Sequence, residues 1–144
     1  LLLIAGTMAL GTAMEKTGAS QLYAEMFVSM FSGWSPGFIL RGVILLTSIS
    51  TQILSNNATA VLMVPIAVST ALGIGVDPKP FIIGICFGAS ACFATPIGYQ
   101  TNTMVWGPGG YRFVDYLKVG VPLTIVVFIT VMVLLPILWP LAPA

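Results

Sequence analysis

The chain has 144 residues, 58% of them hydrophobic and only 6% charged, and five Lys/Arg against four Asp/Glu leave a net charge of +1. Soluble domains carry roughly a quarter charged residues, so a mean hydropathy of +1.05 places this sequence among integral membrane proteins. The near balance of charge leaves no basic face for nucleic acid, and the absence of histidine removes His-based metal sites, Ser-His and Cys-His nucleophile pairs and histidine proton relays from this segment.

Positions 1–14 read as the end of a membrane helix already under way, so the chain is expected to be a C-terminal piece of a longer protein; Glu15, Lys16 and Gly18 mark the exit of that helix. Over 18–32, Leu22, Met26, Phe27 and Met30 recur at helical spacing with Gln21, Glu25 and Ser29 between them. The pattern fits an amphipathic helix lying in the membrane interface, and equally a short connecting helix packed on the protein. Gly33-Trp34-Ser35-Pro36-Gly37 is a turn with an interfacial aromatic and a proline suited to a helix start. Phe38 to Leu46 is apolar except for Arg41, which is close enough to the end to snorkel.

The apolar run then gives way to Thr47-Ser48-Ile49-Ser50-Thr51-Gln52-Ile53-Leu54-Ser55-Asn56-Asn57-Ala58-Thr59, where nine of thirteen residues are polar and none is charged. Apolar sequence resumes from Ala60 to Ile74, and Gly73 to Pro80 is the clearest surface turn, with Asp77 and Lys79 beside glycine and proline. Phe81 to Ala94 reads as a membrane helix rich in small residues that allow close packing. Thr95 to Thr103 should break it, since Pro96 removes a backbone donor and Gly98 frees the backbone. Met104 to Trp106 is the remnant of a second half-helix, and Tyr111, Arg112, Asp115 and Lys118 mark an aqueous surface. From 118 to 139 an apolar run of about 20 residues is enough to span about 30 Å. Cys86 and Cys92 stand about 9 Å apart along a helix, too far for a disulfide, and are expected as buried thiols.

Two uncharged polar interruptions thus fall at membrane depth, while all four acids (Glu15, Glu25, Asp77 and Asp115) lie at predicted edges. Irregular backbone inside a bilayer is tolerated only where it is buried in protein or lines a cavity. Broken helices expose amide donors that suit an anion and carbonyls that suit a small cation. Polar residues in membrane helices also serve as interhelical glue, but two neutral breaks together point to a binding site. An intramembrane enzyme would need a nucleophile–base pair or a metal cluster, and no residue is assigned a catalytic role.

Ser55-Asn56-Asn57-Ala58-Thr59-Ala60 followed by Met63-Val64-Pro65-Ile66 resembles the hairpin-tip motif of the divalent anion:sodium symporters, the sodium–sulfate/carboxylate cotransporter family. Ala94 to Asn102, then Val105 to Phe113, looks most like the sulfate-permease branch. The resemblance implies an all-α integral membrane protein in which this chain is most of the second of two inverted repeats of a secondary transporter. Its parts would be an interfacial arm helix, a re-entrant hairpin over 36–75, a broken helix over 80–108 and a final transmembrane helix over 118–139. Each hairpin limb, about 18 residues, would reach about 27 Å as straight helix, so length leaves two full spans open as well.

By carry-over from that family, Thr51, the Leu54 carbonyl, Asn56 and the Gly98 carbonyl would form a Na⁺ site. Ser55, Asn56 and Asn57 would meet the anion with Tyr99, Thr101 and Asn102. The resemblance implies Na⁺ as coupling ion with no further cofactor. It also implies a small inorganic or organic anion as substrate, membrane lipid as surroundings, a homodimer formed through the rest of the protein, and a plasma (inner) membrane location. Two departures favour a compact anion such as sulfate over a dicarboxylate: Asn57 replaces the family's threonine, and Tyr99-Gln100-Thr101-Asn102 replaces its Thr-Pro-Pro-Asn. Alternatives are a citrate or dicarboxylate transporter, an anion exchanger of the same family, and a cation exchanger or ion-conducting pore. A proton exchanger would need a membrane-buried acid.

Overall fold

The computed structural model describes residues 16–30 and 33–143, with Gly6, Ala9, Thr12 and Ala13. The helix end expected over 1–14, with its exit at Glu15, lies largely outside the described residues. Among the described residues from Ala19 onward there are six helices: α1 (Ala19–Met30), α2 (Pro36–Ser50), α3 (Asn56–Gly73), α4 (Lys79–Ser90), α5 (Gln100–Trp106) and α6 (Phe113–Leu138). The all-helical architecture agrees with the sequence reading.

Local chemistry sets most of the boundaries. Ser35 holds an extended N-cap conformation before Pro36, which is pre-set for the first helical position, and the Trp34 and Phe38 rings meet at 3.9 Å across the entry. The polar stretch is irregular only from Thr51 to Ser55. Thr47 lies within the helix, its buried hydroxyl satisfied by donating to the Val43 carbonyl at 2.7 Å, and α3 starts at Asn56 because Ser55 caps it, its Oγ accepting from Ala58 N–H at 3.3 Å. After Gly75, at φ +70, the Asp77 carboxylate accepts from Lys79 N–H at 2.9 Å and opens α4.

Two boundaries differ from expectation. The second break opens at Ala91 and closes at Tyr99, so Gln100 to Thr103 are helical. The last helix begins at Phe113 instead of 118. Asp115 reaches back to accept from Arg112 N–H at 2.8 Å, so the charged residues initiate the helix. Of the two cysteines, both free, Cys92 is buried and Cys86 is exposed; helix α4 turns Cys86 away from the core.

The core sits where α4 touches α2, α3 and α6, around Leu40, Ile44, Ala67, Phe81, Ile85 and Leu135. The small residues of α4 set the close approach. A Cβ on Gly84 would lie 2.8 Å from the Ile44 side chain, and one on Gly88 would lie 3.0 Å from the Ile44 carbonyl. Helix α1 packs along α3 with Ala24 buried, while Leu22 and Met26 of the expected apolar stripe stay exposed.

One end of the molecule gathers the turn after α3 and the end of the chain, where Asp77 N–H donates to the Ala142 carbonyl at 3.0 Å and Leu141 lies against Gly37. Measured from this base, α2 with 15 residues rises about 22 Å and α4 with 12 residues about 18 Å. Both stop at the polar breaks. Helices α3 and α6 are long and apolar enough to cross a membrane, with 18-residue stretches of mean hydropathy 1.3 and 2.8. Of α6 only Gly120, Val131 and Leu135 are buried. Val119 at 70% and Ile137 at 68% exposure mark a helix that water cannot surround and that lipid or further protein must cover.

Because the Gly88 position abuts a backbone carbonyl, Gly88→Val overpacks the α2–α4 contact. Thermal unfolding of the full-length protein in detergent should show a loss of about 1–3 kcal/mol.

Candidate functional site

Each break leaves backbone groups without helical partners, and the two breaks meet. After Ser50 the chain tightens, with Gln52 N–H donating to the Ile49 carbonyl and Ile53 N–H to the Ser50 carbonyl, both at 3.1 Å. The Thr51 hydroxyl, fully buried, crosses to donate to the Ala89 carbonyl at 2.8 Å. The Gln52 side chain reaches the same break from both of its ends. Its Nε2 donates to the Ala91 carbonyl at 2.7 Å and to the Ser48 carbonyl at 3.1 Å, while its Oε1 accepts from Ala94 N–H at 3.1 Å. The Thr95 hydroxyl donates to the Gln52 carbonyl at 2.6 Å and accepts from Gly98 N–H at 3.1 Å.

Gly98 brings the backbones of the two breaks together, since a Cβ there would lie 2.9 Å from the Thr51 carbonyl oxygen. Glycine is required by that contact. The far side of the second break is tied to α5 and α6. The Thr103 hydroxyl donates to the Pro96 carbonyl at 2.7 Å, and the Tyr116 hydroxyl donates to the Asn102 carbonyl at 2.9 Å. Gly120 of α6 lies so close to Phe93 that a Cβ would overlap the Phe93 carbonyl.

Between the breaks lies a cavity of about 220 Å³ lined by Asn56, Ser90, Cys92, Phe93, Tyr99 and Asn102. Three of the expected anion-site residues, Asn56, Tyr99 and Asn102, therefore share one space. Ser55 and Asn57 at the start of α3, and Thr101 in α5, are exposed and do not line this cavity. Of the expected cation ligands, Thr51 presents its carbonyl toward Gly98, Asn56 is half-buried, and Leu54 has its side chain exposed.

Asn102 is fixed in an orientation that the sequence does not suggest. Its Nδ2 donates to the Cys92 carbonyl at 2.9 Å and to the Thr95 carbonyl at 3.1 Å. Both partners are acceptors, so the nitrogen must face them and only Oδ1 remains to offer. In the sequence Ser90, Cys92 and Phe93 are only part of an apolar helix, and Gln52 and Thr95 are members of polar stretches without an assigned role. Only their uncharged polarity beside a break could have singled them out, and nothing in the sequence links Tyr116 to Asn102.

Residues 1–143 match the family described as "Citrate transporter". The chain is 44% identical over 144 residues to an uncharacterized transporter of Synechocystis sp., covering 99% of this chain and 23% of that protein. It is 40% identical over 140 residues to the uncharacterized transporter YfbS of Escherichia coli, covering 97% of this chain and 23% of that one. Sodium/sulfate cotransporter 1 of Chlamydomonas reinhardtii is 34% identical over 122 residues, 84% of this chain and 14% of its own length. The chain thus spans at most about a quarter of these relatives.

The orientation of Asn102 is checked by Asn102→Asp in the full-length protein. The isosteric carboxylate would face two carbonyls without a donor, so unfolding in detergent should show a loss of about 1–3 kcal/mol or more, larger than that of Asn102→Ser.

Proposed function

The chain belongs to the citrate transporter family, and from that membership we propose that it builds half of the binding site of a sodium-coupled secondary transporter for an oxyanion. Family membership makes it part of a multi-pass membrane transporter and not an enzyme; the ions and the residues that hold them are this proposal. One observation carries it. The two uncharged breaks close on each other, with Asn56, Tyr99 and Asn102 around one cavity and Gly98 against the Thr51 carbonyl.

In this reading α2 and α3 are the limbs of a re-entrant hairpin, and α4 and α5 are the two parts of a broken helix. The length of α2 supports the hairpin, since about 22 Å falls short of a hydrocarbon core of about 30 Å. The arm helix α1 lies at the interface and α6 is the final span. Carbonyls of Thr51, Leu54 and Gly98 with the Asn56 side chain cradle Na⁺, neutral hard ligands for a hard cation. The N-terminus of α3, with Ser55, Asn56 and Asn57, faces the anion together with Tyr99 and Thr101. Asn102 completes the cavity, and with both N–H groups engaged it serves the cation or a water through its oxygen. The companion repeat, the remaining ligands and the dimer contact come from the rest of the protein, in a plasma (inner) membrane. Transport proceeds by alternating access of this unit as one body.

Sulfate is the anion of choice, supported by the compact, tyrosine-walled pocket and by the similarity to sodium/sulfate cotransporters. The family description names citrate, which favours a second reading with citrate or a dicarboxylate as substrate. Uptake of labelled sulfate, citrate and succinate by the full-length protein in proteoliposomes, with and without Na⁺, separates them. Asn56→Ala should reduce Na⁺-dependent uptake to background; uptake at the wild-type rate in that variant removes the mechanism.

A further inference from the structure

Gln52 has been given no part in binding, yet it makes more contacts between the two breaks than any residue assigned to them. We propose that Gln52 is the positioning residue of the cation cradle, an inference that rests on the sodium-coupled reading. Its amide fixes the second break against the first, so that the carbonyl ligands from both are set before an ion arrives.

The geometry gives three reasons. The side chain acts as a piece of surrogate backbone. Its nitrogen takes the Ala91 carbonyl and its oxygen takes the Ala94 N–H, so it closes the stretch where α4 has ended. Both ends have a defined partner of the opposite kind, so the amide has one orientation. Through Thr95, Gln52 is also joined to Gly98. Its carbonyl accepts the Thr95 hydroxyl proton, and the same oxygen of Thr95 accepts from Gly98 N–H. Gln52 is covalently next to Thr51 and two hydrogen bonds from Gly98, the two residues whose backbones abut where the breaks meet. Gln52 does not line the cavity of Asn56 and Tyr99. It stands instead in an apolar crevice with Ile49, Val121, Ile125 and Phe128, so it touches no transported ion and acts through its neighbours. Groups that orient metal ligands in this way characteristically change affinity by ~10–100-fold when removed.

The test is made on the full-length protein. Gln52→Met keeps the length and volume of the side chain and deletes both of its interactions with the second break. Na⁺ is the probe, read as the NaCl concentration that half-saturates uptake and, independently of any substrate, as the rise in unfolding temperature on replacing choline chloride by NaCl. The expected result is a half-saturating Na⁺ concentration raised by ~10-fold or more in both readouts, with the uptake rate at saturating Na⁺ held near wild type. An unchanged half-saturating concentration, with or without a lower unfolding temperature, would assign Gln52 to the scaffold alone and overturn the proposal. If the methionine variant does not yield folded protein, Gln52→Glu, which keeps the acceptor for Ala94 and loses the donor for Ala91, is read by the same criteria. Wild-type protein indifferent to Na⁺ in both readouts would instead overturn the sodium-coupled reading, and this inference with it.

Discussion

Backbone amides that leave a helix inside an apolar block must find partners in that block, and the rest of the molecule is arranged around this constraint. From 42 to 76 and again from 80 to 111 the sequence has no charged residue, and the breaks after Ser50 and Ser90 fall within these stretches. A buried polar group without a partner costs about 1–3 kcal/mol, so neither break is stable alone. They are stable as a pair. The Thr51 hydroxyl and the Gln52 amide satisfy the break after α4, and Thr95 satisfies the end of α2 in return.

The pairing requires the helices that carry the breaks to approach closely, which is the part played by the glycines. Gly88 brings α4 against the α2 backbone, Gly98 brings the two breaks together, and Gly120 lets α6 lie on the Phe93 carbonyl. Helix α6 works as a strut. Its C-terminal end is anchored near the turn after α3, and near its other end Tyr116 bonds to α5, just beyond the second break. The breaks are thereby held as one piece, which is the mechanical property that rigid-body alternating access would require of a binding unit.

Much of this was legible in the sequence, for identifiable reasons. Composition fixed the class, because an apolar chain with so few charges has few alternatives. Pro96 and Gly98 marked the second break, since one lacks a donor and the other lacks a Cβ. The limits of the elements were less legible. Asp115 read as a surface charge, and its capping bond to Arg112 N–H, which starts α6 five residues early, is a local geometry that hydropathy does not register. Thr47 read as part of the first gap, but a threonine that donates to its own helix four residues back leaves the helix intact. The candidate site was visible as polarity without charge and, through the resemblance, as a residue set. The division of labour within it was not, because whether an amide spends its donors on a ligand or on the chain depends on backbone carbonyls 7 and 10 residues away for Asn102 and 39 residues away for Gln52. Asn102 and Gln52 are the two cases.

A neutral cradle also bears on why two ions of opposite charge should travel together. An anion entering this space meets no basic side chain, and a helix N-terminus contributes only about 0.3–1 kcal/mol at exposed sites and up to about 2 kcal/mol when partly buried. A cation about 4 Å away contributes about 4 kcal/mol at an effective dielectric constant of 20, which is on the order of 10³ in affinity. On the proposed reading the cation is thus the largest source of complementary charge that this half of the site offers the anion, and the anion the largest it offers the cation. By linkage, each raises the affinity for the other by the same factor. A lysine or arginine in the pocket would supply that charge permanently and leave the anion bound without its companion. On the proposed reading, coupling follows from what the breaks leave out: with asparagine amides, hydroxyls and carbonyls as the ligands this chain supplies, its half of the site is electrostatically complete only when both ions are present.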